Sequence, residues 1–183
     1  EQEMQKGERA DIAKLIAKQV TILKEVAQRA EGDEKEFWLR QLAETLAAAA
    51  QEGTMPNALG QLEELSEKLP ADDPLKSFLA FRLASARYAT SMQEPDADIE
   101  KVQVVWLEEL GAFVEAYPDA QDAAEAMLQI SIADEFSGKE EAAIQRYQQI
   151  AENFPSSASA RKASGALRRL QAVGQPLNLS GTT

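Results

Sequence analysis

Asp96, Asp98 and Glu100 alternate in the stretch PDADIE, residues 95–100. Alternate carboxylates open many calcium loops, because a hard cation takes oxygen ligands from every second position. An EF-hand also needs a glycine at its sixth position and a glutamate at its twelfth; counted from Asp96 these are Lys101 and Leu107. The cluster therefore reads as helix capping, with acids at the positive end of a helix dipole. A second cluster sets Asp134-Glu135 and Glu140-Glu141 on either side of Ser137-Gly138. Paired carboxylates can divide acid and base work when buried together. Nothing in the sequence marks these four as buried, and exposed acids on a helix face are far commoner. A third set is aromatic: Phe78, Phe81, Tyr88, Trp106, Phe113 and Tyr147 fall at helical spacings, which fits core packing. Tyr88, Trp106 and Tyr147 are also the candidates for lining a ligand groove.

The 183-residue sequence has no Cys and no His. Thiol nucleophiles, cysteine-held zinc, disulfides and the commonest general base are thereby excluded together. No catalytic residue, cofactor or metal is expected. The net charge of −12 repels phosphate backbones, so nucleic acid is not an expected partner. The charge is uneven: residues 1–120 hold 13 Lys/Arg against 24 Asp/Glu, and residues 121–183 hold six against seven. From Ser156 onward there are four cations (Arg161, Lys162, Arg168 and Arg169) and no acid, which suits a helix C-terminus or an acidic neighbour. No apolar run reaches the ~18 residues of a membrane span, so any membrane association would be peripheral. The chain begins at Glu1, and a signal peptide already removed would leave no trace.

The elements that must carry these residues are helical. Residues 8–31 place Ile12, Leu15, Ile16, Val20, Leu23, Val26 and Ala27 at three- and four-residue steps, ending at Gly32. Asp33 is expected to cap a second helix, with Glu36 at the capping-box position, and this helix carries Phe37, Leu39, Leu42 and Leu46. Its run Ala47–Ala50 permits close approach of a neighbour, and Gly53 ends it. A shorter helix follows Pro56 and stops at Leu69-Pro70. Asp72 or Asp73 before Pro74 starts a helix bearing Leu75, Phe78, Phe81 and Tyr88. The 94–98 turn caps the next, which carries Ile99, Val102, Val105, Trp106, Leu110 and Phe113 up to Tyr117-Pro118. Further helices are expected over 120–136 and 139–153, and a last one capped by Ser156 and closed by Gly174. About eight helices joined by tight turns make an all-α protein of antiparallel helix pairs.

Tyr117-Pro118 and Phe154-Pro155 lie 37 residues apart, each followed by an Ala-rich segment. Such spacing suggests a solenoid. The pair 124–155 resembles the tetratricopeptide repeat (TPR): Met127 and Ile130 at large apolar positions, Ser131 and Ala143 at small crossing positions, Gly138 at the turn, Tyr147 as second-helix aromatic and Pro155 as stop. Asp134 and Ile150 depart from it, standing where that family usually has Tyr and Ala. The resemblance implies a right-handed solenoid over residues 1–173, fitting loosely at 74–117 and not at 1–70. GKEEAAIQRYQQIAENFPSSASARKA is also similar to TPR proteins of outer-membrane assembly lipoprotein type. ARKASGALRRLQAVGQPLNLSGT resembles the junction at which exported redoxin or TlpA-like proteins pass from a helical region into a thioredoxin-like domain. There Gly174, Pro176, Leu177, Leu179 and Gly181 would belong to a linker or first strand, residues 174–183. The family's Cys-x-x-Cys is absent, so no catalytic residue carries over.

Together these readings lead to a non-catalytic spacer or protein-interaction domain, binding a protein or peptide through Tyr88, Trp106, Met127, Ile130, Ala143 or Tyr147. It would be exported to the periplasm or cell envelope and joined to a C-terminal thioredoxin-like oxidoreductase domain. The alternatives are a free-standing scaffold of an envelope assembly complex, and a helical enzyme or small-ligand receptor using the aromatic groove.

Overall fold

A computed structural model describes residues 2–172, the side chains of 2–6, 8 and 9 apart. Among the described residues there are eight helices and no strand: α1 (Gln2–Arg29), α2 (Gly32–Gln51), α3 (Ala58–Lys68), α4 (Leu75–Met92), α5 (Ile99–Ala116), α6 (Ala123–Phe136), α7 (Glu140–Asn153) and α8 (Ala158–Ala172). The protein is all-α. The segment 174–183, expected as a linker or strand, lies outside the described residues.

Glycine sets two of the helix ends. Gly138 has φ +75° and Gly53 φ +62°, a left-handed region that a side chain disfavours. At the end of α6, the Gly138 N–H donates to the Glu135 carbonyl at 3.1 Å and the Lys139 N–H to the Asp134 carbonyl at 2.8 Å. Gly53 and Thr54 make the same pair of bonds to Ala50 and Ala49 at the end of α2. Both are Schellman stops, which use up carbonyls the helix leaves unpaired.

Helix starts depart from the sequence pattern in places. The Leu75 N–H donates to Asp73 Oδ1 at 2.9 Å, so Asp73 rather than Asp72 caps α4. The cap of α8 is Ser157, not Ser156: its Oγ accepts from the Ala160 N–H at 2.9 Å. No side chain caps α2, which begins two residues earlier than expected, at Gly32, with Glu31 instead of Asp33 at the cap position. Glu36 instead holds Arg40 at 2.9 Å, one turn along the helix, and so is not available for a capping box.

Packing divides the chain into two compact units, one up to Phe113 and one from Val114. In the first, α2 packs on α1, α3 and α4, and α3 packs on α4. Its core holds Leu42, Leu46, Leu62 and Leu79 with Ala43, Ala47, Ala49 and Ala58, none more than 3% exposed. The alanines bring helices close, and each buried leucine contributes roughly 1.5–3 kcal/mol. Rings fill the α4–α5 seam instead: Phe81 meets Phe113 at 5.4 Å between centroids, and Tyr88 stacks on Trp106 at 4.9 Å. Arg87 of α4 reaches Glu63 on α3 at 2.9 Å and Glu109 on α5 at 3.3 Å. The hydrogen bonds it donates to Glu63, and then the charges of both glutamates, push its pKa further up. Three expected core positions on α1 and α2 face out. Phe37 is 53% exposed, and its neighbour Trp38 packs on the core in its place. On α1 the buried stripe is Val20, Leu23 and Ala27, while Ile12 and Leu15 are exposed.

In the second unit α6 packs on α7, and α8 on both. Its core is Ala124, Met127, Leu128, Ala143, Tyr147, Ile150, Ala160 and Ala163, with Val114 and Phe154 against it.

Candidate functional site

The acidic clusters resolve into caps and ion pairs. Asp98 caps α5: its Oδ1 accepts from the Lys101 N–H at 3.2 Å, and its Oδ2 pairs with Lys101 Nζ at 2.8 Å. The Lys101 side chain, and then its backbone N–H, hold the Asp98 carboxyl below the usual carboxylate range. Asp134 is bound by Arg146 and, at 3.8 Å, by Lys139. Glu135 pairs with Arg169 at 2.7 Å and accepts from the Tyr147 hydroxyl at 3.2 Å. Glu140 and Glu141 stay exposed in the first turn of α7. The four acids therefore do not converge, and among the described residues no three carboxylates form a metal-ligand set.

Tyr88 and Trp106 sit side by side in the first unit. Trp106 is 8% exposed, and the Tyr88 hydroxyl donates to Gln103 Oε1 at 3.1 Å. A cleft of about 370 Å³ opens over the stack, edged by Arg87, Lys101, Val105 and Glu109. The rings form its floor while packing α4 on α5, and the salt bridges of Arg87 and Lys101 satisfy the charges at its edge.

The other expected site residues belong to the second unit. Ser131 and Ala143 are fully buried, the small residues at the α6–α7 crossing. The Ser131 hydroxyl donates back to the Met127 carbonyl at 2.7 Å, so it adds no unpaired group to the seam. Met127 and Tyr147 fill the seam beside them. Ile130 does not join this core; Leu128, 2% exposed, fills it instead. Ile150 is buried as well, although a smaller residue was the repeat's usual choice. Asp134, at the other departure from the repeat, exchanges apolar filling for the Arg146 ion pair. Tyr147 is 1% exposed, and burial, then the Glu135 charge, pushes its hydroxyl up to about 12.

Beside this core lies a face that the sequence reading passed over. Leu128, Ile132 and Phe136 follow one another at four-residue steps along α6. With Lys162, Ala166 and Arg169 of α8 they line a cleft of about 450 Å³, floored by Tyr147 and Glu135. Leu128 is buried, Ile132 is 36% exposed and Phe136 is 88% exposed. Lys162 makes no ion pair among the described residues. The signal was present in the spacing, but α6 is apolar on more than one side, so periodicity alone could not separate the core row from the open row.

No protein-family model matches the chain, and no curated protein matches it.

Proposed function

We propose that this chain is a non-catalytic protein-interaction domain of helical-repeat build. The observation that carries the reading is Phe136, a large aromatic at 88% exposure in line with Ile132, beside a cationic helix. Apolar surface left open on a packed helix pair, with a charged margin, has the character of a docking face. It suits a partner segment with an apolar anchor and nearby carboxylates, drawn by Lys162 and the acid-free stretch after Ser156. The TPR-like pair supports this reading: Ser131 and Ala143 at the crossing, Gly138 at the turn, and an aromatic–Pro stop.

We further read the domain as part of an exported protein and as a TPR-like right-handed solenoid. The similarity of residues 160–182 to a redoxin junction supports a covalently joined thiol–disulfide oxidoreductase domain, to which this chain would be the helical accessory. The stretch GKEEAAIQRYQQIAENFP favours the second reading, a scaffold of an envelope assembly complex. A coding sequence with Cys-x-x-Cys downstream of Thr183 selects the first, and one without it selects the second.

The interaction itself is tested by placing a photo-crosslinking residue at position 136 of the parent protein in its host, with position 145 on α7 as control. A discrete product at 136, absent at 145 and lost with Lys162→Glu, is the expected result. Products at neither position, or equally at both, overturn the reading.

A further inference from the structure

A different cleft, of about 410 Å³, opens among α1, α2 and α3 in the first unit. Ala27, Leu39, Leu42, Leu65 and Leu69 form its apolar wall. Its margin holds three lysines, Lys24, Lys35 and Lys68, against one carboxylate, Glu64. An adjoining hollow, also about 410 Å³, shares Lys35, Leu39, Lys68 and Leu69 and adds the carboxylates of Glu36 and Asp73.

Within the α1–α3 cleft itself, though not in the adjoining hollow, the local sign of charge is inverted. Residues 1–120 carry 24 acids and 13 bases, yet this cleft gathers three bases to one acid. Among the described residues, only one of the three lysines meets a carboxylate. Lys24 donates to the neutral amide oxygen of Gln61 at 2.6 Å, across from α1 to α3. Lys35 makes no ion pair among the described residues, although Glu31, Glu34 and Glu36 are close in sequence. Lys68 meets Glu64 at 3.6 Å in an exposed pair, of the kind that contributes little and is readily exchanged. The lysine stems add to the apolar wall while the ammonium groups stand at its edge. The volume lies within the range of small-molecule sites.

We propose that this cleft binds an anionic amphiphile, a molecule with an apolar chain and one carboxylate-like head. The chain lies against Leu39, Leu42 and Leu65, and the head sits among Lys35, Lys68 and Lys24. This site shares no residue with the α6–α8 face, and the proposal does not rest on the protein-interaction reading.

Calorimetric titration with sodium decanoate tests it, with decan-1-ol as the uncharged counterpart. The expected result is one saturable site that binds the alcohol at least about tenfold more weakly, the charge-assisted bonds being absent. Lys35→Glu with Lys68→Glu weakens decanoate binding by at least about tenfold, while circular dichroism and melting temperature show that the variant stays folded. Ile132→Ser with Phe136→Ser leaves decanoate binding unchanged. The proposal is overturned if no saturable site appears, if the alcohol or the double lysine variant binds as decanoate binds the native chain, or if the α6 variant removes the binding.

Discussion

The two units fill the same kind of space in different ways. The first interleaves Leu42, Leu46, Leu62 and Leu79 with alanines and keeps its charged ties outside, as at Arg87. The second builds its smaller core around Tyr147 and threads hydroxyls through it. Tyr147 reaches Glu135, Ser131 its own α6 backbone, and Ser159 of α8 donates to Glu125 of α6 at 2.8 Å. Leucine and alanine fill volume without asking for a partner, so many arrangements of them are nearly as good. A buried hydroxyl must find its acceptor, so it specifies one arrangement and adds a titratable or polar liability. The comparison predicts that the first unit responds to changes of volume and the second to changes of polarity.

The largest expected effect tests the first half. Leu62 is fully buried where α3 meets α2 and α4. Leu62→Ala leaves a cavity and costs about 2–5 kcal/mol. Amide hydrogen exchange locates the loss: α2, α3 and α4 lose protection by that amount, and α7 keeps its own. Equal loss of protection in α7 would show that the two units unfold as one body and would break the comparison.

A smaller effect tests the second half. The Tyr147 hydroxyl titrates at about 12 in the folded chain against 10.0 ordinarily, because it is buried and faces Glu135. Its folded pKa is raised, so the protonated form is favoured by folding. That contribution is complete below about pH 10 and is lost as pH rises toward 12, at no more than about 1.4 kcal/mol per pH unit. Tyr147→Phe costs about 0.5–1.5 kcal/mol at neutral pH, through the lost bond to Glu135. Relative to the native chain it then regains ground between pH 10 and 12. Urea unfolding at a series of pH values checks both parts; a constant difference across that window would refute the assigned cause.

Much of this was legible from the residues. Gly53 and Gly138 end helices because nothing else takes their backbone angle so cheaply, and Asp98 caps because a proline turn sets it before an apolar run. The crossing residues Ser131 and Ala143 were legible from size and spacing alone. The ion pairs were not. Glu135 and Arg169 are 34 residues apart, and only folding brings α8 back over α6. Cap choice was partly hidden for a related reason: two serines stand side by side, and the backbone path decides that Ser157 rather than Ser156 turns inward to the Ala160 N–H. Ile130 and Leu128 are both apolar on a helix with Met127, and which of them enters the core depends on the neighbours α7 and α8.

The smallest effect on stability separates folding from function most sharply. Phe136 is the last residue of α6 and is almost wholly open to solvent, so the folded state gains little from its ring. Phe136→Ser should change stability by less than about 0.5 kcal/mol, the ordinary range for a surface position. A helix that gains nothing by carrying such a ring still bears the cost of exposing it to water, and that imbalance is what a partner would relieve. The variant should therefore unfold with the native chain in urea yet lose the cross-linked product of a photo-crosslinking residue placed instead at position 166, on the α8 side of the same cleft. A loss of about 2 kcal/mol or more would show that Phe136 supports the fold, and the open face would then belong to the packing of the second unit instead of to a partner.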